Sequence, residues 1–270
     1  MRMPDRPKQD RLRSVSQLIA IIFAAAGLAA LMPAAPARAA NCLVDHDQLA
    51  RALKQSVKPS GGPSNGGLDN NEWAAIVARD GTICAIAFSG NTVDDQWPAS
   101  RAIAAEKANT ADGMSTAKFA LSTGNLYAAS QPGGYLFGAA LSNPPDPAAL
   151  YAGNAATYGT QGDPLVGKHL GGVIVFGGGL ALYDASGIVG ALGVSGDTPC
   201  ADQNISWRVR EKLGLNRVPA GVSPKHNDAI IYDIGNDGKS ASGFGHPTCG
   251  GKEVEVAKQI GAGLAPSQER

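Results

Sequence analysis

Four histidines are the residues of this 270-residue chain whose chemistry best suits a metal ion. They stand at His46, His169, His226 and His246, and no two of them have the H-x-H or H-x-x-x-H spacing typical of zinc sites. His169 and His246 lie among glycines in irregular segments, where either imidazole can ligate iron or another metal. A surface or hydrogen-bonded histidine is the alternative for each, and the spacing leaves both interpretations open.

A serine and a glycine triplet lie in the most glycine-rich stretch, residues 171–202. Ser195 ends a predicted strand, but Asp197 stands where a nucleophile elbow needs glycine. Gly177–Gly179 precedes a strand rather than a helix, and no lysine followed by serine or threonine comes directly after it. The spacing therefore does not favour a serine hydrolase or a phosphate-binding loop. It indicates a tight turn whose serine hydroxyl caps the next helix, and glycines that permit close packing.

The first forty residues are predicted to be an export signal rather than part of the fold. A basic start (Arg2 to Arg13) precedes the apolar run Leu18–Leu31 and the small-x-small sequence Ala37-Arg38-Ala39. The apolar run is short for a spanning helix, which makes a membrane anchor the weaker alternative. We therefore predict a periplasmic or secreted protein without a stable membrane anchor, beginning at Ala40 or Asn41.

The exported part, residues 41–270, is long enough for one domain with one core. It holds 17 basic and 21 acidic side chains, because six of the 23 basic and two of the 23 acidic residues lie before Asn41. This acidic balance does not indicate a nucleic-acid partner.

All four cysteines lie in the exported part, at Cys42, Cys84, Cys200 and Cys249. The absence of a C-x-x-C pair argues against a zinc ribbon and against covalent haem attachment. An even count in an exported chain favours disulfides, although buried free thiols remain the alternative. Three pairings are open, and our hypothesis joins Cys200 to Cys249. This bond would connect the C-terminal segment, which has few core residues of its own, to the junction of sheet and helix.

The elements that must position these residues can be predicted from periodicity and turn signals. Apolar spacing predicts helices at Leu49–Val57, at Pro98–Ala111 with Lys107 on it, and at Ile205–Leu213 before Gly214. A solvated lysine is the default for Lys107. Ser115 is a candidate cap for a further helix at Thr116–Leu121, and Glu253–Ile260 is predicted to form a short final helix. The predicted strands are 73–77 and 82–88, followed by two or three adjacent antiparallel strands from the runs 173–176, 180–183 and 188–194. Hairpin turns are predicted at Asp80-Gly81 and Asp184–Gly187.

Residues 123–168 form a long irregular excursion rich in glycine, proline and tyrosine. Segments of this length inside a compact domain are usually functional or disordered, and the aromatic residues argue against disorder. We predict an ordered excursion that covers one end of the sheet.

The glycine-rich stretch resembles the GlcG/HbpS-like family of haem-binding and related proteins. The resemblance is carried by Gly178-Gly179-Leu180, by Gly187 with the run Gly190-Ala191-Leu192-Gly193-Val194-Ser195-Gly196, by Asp202, and by Glu106-Lys107-Ala108 on a helix. It extends over roughly residues 45–215. The segments 123–170 and 215–270 are long for the family pattern, as an insertion and a C-terminal extension, and the E-x-x-E iron motif of some members is absent.

This resemblance implies a profilin-like or roadblock-like α/β (α+β) fold, with a central antiparallel sheet and helices on both faces. It also implies a homo-oligomer and noncovalent haem binding, and it carries over no axial ligand. The predicted pocket residues are Lys107, Phe176, Gly177, Gly178, Gly179 and Ser195, with His169 or His246 as the iron ligand. We therefore expect an exported binder of haem or a related tetrapyrrole. The alternatives are a small periplasmic enzyme acting on a metabolite, or an accessory protein of a sensor or transporter.

Overall fold

A computed structural model describes residues 42–59 and 64–264, and the predicted export signal lies outside these residues. Its strands, and its helices of eight or more residues, are α1 (His46–Val57), β1 (Trp73–Ala78), β2 (Ile83–Phe88), α2 (Ser100–Gly113), β3 (Gly179–Asp184), β4 (Gly187–Ser195), α3 (Pro199–Leu213), β5 (Ile230–Ile231), α4 (Glu253–Ile260) and β6 (Gly263–Leu264). Within the described residues, no helix combines the length and hydrophobicity needed to cross a bilayer.

The centre of the fold is a four-stranded antiparallel sheet with the strand order β2-β1-β4-β3. Ile76 lies opposite Leu192, which in turn lies opposite Leu180 on the other side of β4. The turn Asp80-Gly81 joins β1 to β2, and Gly81 has the positive φ of 81° that such a turn favours. The predicted antiparallel α/β class is thus confirmed.

Helices cover both faces of the sheet, because alternate residues of the central strands point to opposite sides. On one face, Ala74 and Ile76 pack with Leu49 of α1 and Ile205 of α3. On the other face, Ala75 and Val77 pack with the alanines of α2. Both faces are therefore buried, and the strands consist of nearly continuous apolar residues.

Helix α2 approaches the sheet unusually closely because β4 has a glycine beneath it. A Cβ atom on Gly193 would lie 1.9 Å from the Ala104 carbonyl oxygen and 2.6 Å from the Ala108 nitrogen. Only a residue without a side chain fits this contact. The close approach holds the middle of α2, and with it Lys107, against the end of β4.

Local hydrogen bonds fix the ends of the other two long helices. Asp45 caps α1 by accepting from the Gln48 nitrogen, and Gln48 completes a capping box. Thr198 caps α3, Pro199 occupies its first turn, and Gly214 ends it in the left-handed conformation. The predicted serine cap is therefore wrong at this helix, since the side chain of Thr198 rather than Ser195 accepts from the helical backbone.

The long segment between α2 and β3 is ordered but irregular. It contains short helical turns at Thr123–Leu126, Tyr127–Ser130, Ala139–Ser142, Pro147–Leu150 and Ala155–Thr157. A buried ion pair fastens it to α2, where Arg101 Nε donates to Asp163 Oδ2 at 2.9 Å.

Two local predictions in this region are wrong. Residues 116–121 form a tight turn instead of a helix, because the Thr116 hydroxyl accepts from the nitrogens of Lys118 and Phe119. Val173–Phe176 is an irregular segment outside the sheet instead of a strand. It lies along α2, where the Ile174 nitrogen donates to the Thr110 hydroxyl at 2.9 Å.

The C-terminal segment is tied to the core by a disulfide and a buried ion pair. Cys200 of α3 is joined to Cys249, which confirms the predicted pairing, and Cys42 is joined to Cys84. Arg210 of α3 contacts both carboxylate oxygens of Asp228, at 2.6 and 2.8 Å. The two-residue strands β5 and β6 pair in parallel beside α4.

Candidate functional site

The most unusual side chain of the described structure is a lysine with no exposure to solvent. Lys107 lies on the sheet-facing side of α2 and is 0% exposed. Its ammonium donates to Asp202 Oδ2 at 2.6 Å and to the Val194 carbonyl at 2.9 Å, and it lies 5.0 Å from the centroid of the Phe176 ring. The default of a solvated lysine is therefore wrong. Its partner on α3 lies 95 residues further along the chain.

Asp202 and Asp197 form the acidic side of this centre. Burial raises the pKa of Asp202 to about 6, although Lys107 and the Asp197 backbone N–H both act to lower it. Asp202 is therefore ionised at neutral pH and pairs with the ammonium. The carboxylate of Asp197 accepts from the backbone nitrogens of Leu68, Asn70 and Thr198, and so fastens the chain before β1 to the start of α3.

Glu72 is a third carboxyl group at the same place, and no sequence motif points to it. It is 0% exposed, and no hydrogen-bond donor among the described residues is paired with either carboxyl oxygen, although its carboxyl group approaches that of Asp202. Burial raises the pKa of Glu72 well above its usual range, and the negative charges of Asp202 and Asp197 raise it further. Its surroundings therefore favour the neutral form of Glu72, although Lys107 acts in the opposite direction. We call Lys107, Asp202, Asp197 and Glu72 the buried charge cluster.

The glycine triplet brings three backbones together above this cluster. A Cβ atom on Gly177 would lie 2.3 Å from the Pro199 carbonyl oxygen. One on Gly178, whose φ is +121°, would lie 2.5 Å from the Val194 carbonyl oxygen and 2.7 Å from Lys107 Nζ. Protein atoms therefore fill the space that a ligand would need in this conformation, and the assignment of these glycines to a ligand pocket stays a prediction.

His246 lies beside the same glycines and is buried, with 2% of its surface exposed. Its Nδ1 is 2.7 Å from the Pro247 carbonyl oxygen, and its Nε2 is 3.4 Å from the Gly177 nitrogen. Burial lowers the pKa of His246 to about 4, so the imidazole is neutral at pH 7. Nδ1 then carries the proton and donates to Pro247, and Nε2 accepts from Gly177.

His169 lies at the opposite end of the sheet from the other predicted site residues. Ser195 pairs with Trp73 at one end of β1, whereas His169 contacts Thr82 just after the turn at the other end. The two ends of the six-residue strand β1 are five residue steps, or roughly 16 Å, apart. His169 is exposed, and its Nε2 lies 3.2 Å from the Thr82 hydroxyl. The structure thus groups Lys107, Phe176, the glycine triplet, Ser195 and His246, and leaves His169 apart.

A cavity of about 320 Å³ opens between the start of α2 and the irregular excursion. Trp73 lies in its wall and is buried, Leu150 and Tyr158 come from the excursion, and Arg101 comes from α2. The Arg101 guanidinium lies 3.7 Å from the centroid of the Tyr158 ring and pairs with Asp163. We call this cavity the Trp73 cleft. No sequence signal indicates it, because its walls come from segments about 80 residues apart.

Comparison with known proteins gives one family and several distant structures. The family model described as "Haem degrading protein HbpS-like" matches residues 68–209, from just before β1 into α3. Among curated proteins, none matches the chain.

Three solved structures are similar at low identity. A Klebsiella pneumoniae protein, ORFY, is 20% identical with a TM-score of 0.42, covering 68% of this chain and 98% of its own. A PduOC complex with haem is 24% identical with a TM-score of 0.42, covering 63% and 94%. HbpS is 15% identical with a TM-score of 0.41, covering 68% and 97%.

Proposed function

Because the chain belongs to the HbpS-like family, we propose that it is an exported protein that binds haem or a related tetrapyrrole noncovalently and works as a homo-oligomer. The observation that carries the proposal is the family match, which spans the whole central sheet and α2. Export rests on the basic and apolar pattern of the first forty residues, and the oligomer on the family resemblance. Two disulfides are consistent with export, since such bonds persist in oxidising compartments.

We further propose that His169, rather than His246, is the first iron ligand to test. His169 is exposed, so haem can reach its imidazole once Nε2 gives up its contact with the Thr82 hydroxyl. The half-buried apolar segment Val173–Phe176 follows it along α2 and offers a surface to an apolar macrocycle. Lys168 is also exposed beside it and can pair with a propionate. His246 is already neutral, as a ligand must be, but protein atoms enclose it and the chain would have to open.

Titration of haemin into the purified protein tests this proposal. We expect a Soret band that survives dialysis and a histidine-type spectrum that is lost in His169→Ala and kept in His246→Ala. His226→Asn is the matched control, since this histidine is also exposed and asparagine tolerates its positive φ of 57°. Unchanged spectra and affinity in His169→Ala, His246→Ala and the double variant would reject both histidines. A wild-type protein that retains no haem after dialysis would reject haem binding itself.

The buried charge cluster supports a second candidate, a small periplasmic enzyme. A neutral Glu72 beside an ionised Asp202 is a pair of carboxyl groups whose different environments suit an acid and a base. Incubation with a metabolite extract and mass spectrometry tests this candidate. Conversion of a metabolite by the wild type that Glu72→Gln abolishes would favour the enzyme. Identical profiles with and without protein would leave the cluster a structural one.

A further inference from the structure

The Trp73 cleft has the size and lining of a small-molecule site, and nothing in the haem proposal uses it. Its volume of about 320 Å³ is at the lower end of ligand pockets in proteins, which suits a molecule of one or two rings rather than a macrocycle. Apolar side chains dominate its walls, including Ala102 and Leu150. Residues of the excursion, among them Leu150 and Tyr158, close one side of the cleft.

The charged side chains that line the cleft indicate whether its ligand is a cation or an anion. Arg101, the one cation among the described residues of the wall, is already neutralised by Asp163, donates to the Leu150 carbonyl, and stacks on Tyr158. Asp94, the one anion there, is exposed and has no ion-pair partner in the part of the chain that the structure describes. The uncompensated charge of the lining is therefore negative. An anionic ligand would be repelled by Asp94 and would find no unpaired cationic side chain among the described residues of the lining.

Aromatic rings add a second preference for positive charge. Tyr151 lies in the wall and is 70% exposed, so its ring faces can receive a ligand. The indole of Trp73 is held in place, because its Nε1 donates to the Trp97 carbonyl at 3.0 Å and its ring meets Phe88 edge to face. Aromatic faces attract ammonium groups, most strongly those that carry alkyl groups and are weakly hydrated.

From this combination we propose that the Trp73 cleft binds a small organic cation, an alkylated ammonium attached to one or two apolar rings. The ring lies on the apolar wall between α2 and Leu150, and the ammonium faces Asp94 and Tyr151. Haem carries two propionates, so its charge does not match this cleft. Binding of the cation is therefore independent of haem binding, and either can fail without the other.

Three probes of similar size distinguish the possible ligands, with tryptophan fluorescence and calorimetry as readouts. They are phenyltrimethylammonium, its neutral carbon isostere tert-butylbenzene, and the anion benzoate. We expect the cation to bind about two- to fivefold more tightly than the isostere, as a cation–π contact of modest strength implies. Benzoate should bind most weakly. Equal or tighter binding of benzoate, or no saturable binding of any probe, would overturn the proposal.

Variants at exposed positions locate the site without threatening the fold. Asp94→Asn should remove up to about fivefold of the preference for the cation and leave binding of the neutral isostere unchanged. Asp237→Asn is the matched control at an exposed aspartate of the C-terminal segment and should change nothing. Ala155→Trp places a large ring at an exposed wall position and should block all three probes. Binding that is the same in Asp94→Asn and Ala155→Trp as in the wild type would place the probes elsewhere and refute the assignment.

Discussion

Replacing Glu72 with glutamine tests whether the buried charge cluster holds a neutral acid. Glu72 is 0% exposed and lies close enough to Asp202 and Asp197 for their charges to disfavour its ionisation. Glutamine has nearly the same size and cannot ionise. The substitution therefore removes one titration and leaves the packing around Trp73 and Gly196 in place.

Linkage between protonation and folding gives the expected magnitude. In the unfolded chain Glu72 loses its proton near the ordinary pKa of 4.5, whereas the folded protein keeps it to higher pH because its pKa is raised. Between these two pKa values the folded state binds more protons than the unfolded state, so the stability that Glu72 contributes is lost as pH rises. The free energy of unfolding of the wild type should fall relative to Glu72→Gln by about 1.4 kcal/mol per pH unit over this range.

Urea unfolding at intervals from pH 4 to pH 8 measures the difference. Asp202, whose pKa is also raised, titrates in both proteins, so the difference between the two profiles reports Glu72 together with the change that its removal makes in the titration of Asp202. Glu255→Gln, at an exposed position of α4, serves as a control whose profile should run parallel to that of the wild type. Parallel profiles for wild type and Glu72→Gln would refute the reasoning, because they would mean that Glu72 titrates alike in the folded and unfolded chain.

Three further predictions concern other parts of the molecule. Replacing both Cys200 and Cys249 with serine should lower the free energy of unfolding by about 4 kcal/mol in urea, because the bond closes a loop across 49 residues; an unchanged midpoint would contradict this. Gly193→Ala should cost about 1–3 kcal/mol in the same assay, because its Cβ would meet the Ala104 carbonyl at 1.9 Å, while Gly113→Ala, with nothing within 4 Å, should be neutral or stabilising. Intact-mass analysis of periplasmic protein should give a chain that begins at Ala40 or Asn41, and a mass that includes residues 1–35 would exclude cleavage there.

Turns and helix ends that are determined by residues close together in the sequence could be predicted from it. The hairpin turns at Asp80-Gly81 and Asp184–Gly187, the end of α3 at Gly214 and the span of α4 all follow from local turn and cap chemistry. Val173–Phe176 has the composition of a strand but lies outside the sheet. Its backbone is bonded to α2 through the Ile174 nitrogen instead of to a neighbouring strand, and composition does not distinguish these two partners.

The site was less predictable because its members meet only through the fold. Lys107 looks like a solvated lysine until α2 is placed against β4 and Asp202 arrives from α3, 95 residues away. Glu72 has no motif at all, and only its burial beside two aspartates gives it a special role. The Trp73 cleft likewise forms only because the excursion folds back over the start of α2, and the hydrophobic periodicity of the sequence does not predict that contact.

Each of the two long irregular segments is fastened to a core helix by one buried ion pair, Arg101–Asp163 for the excursion and Arg210–Asp228 for the C-terminal segment. Replacing either aspartate would leave a buried guanidinium without its ion-pair partner and lower the free energy of unfolding by about 3–5 kcal/mol. Replacing most exposed residues of these segments carries no such cost. In evolutionary terms, the buried ion pair constrains one position of each segment, whereas the exposed residues around it can change. We expect related chains to vary widely in the length and sequence of both segments while keeping the aspartate at each anchor, so that new ligand surfaces can arise beside an unchanged sheet.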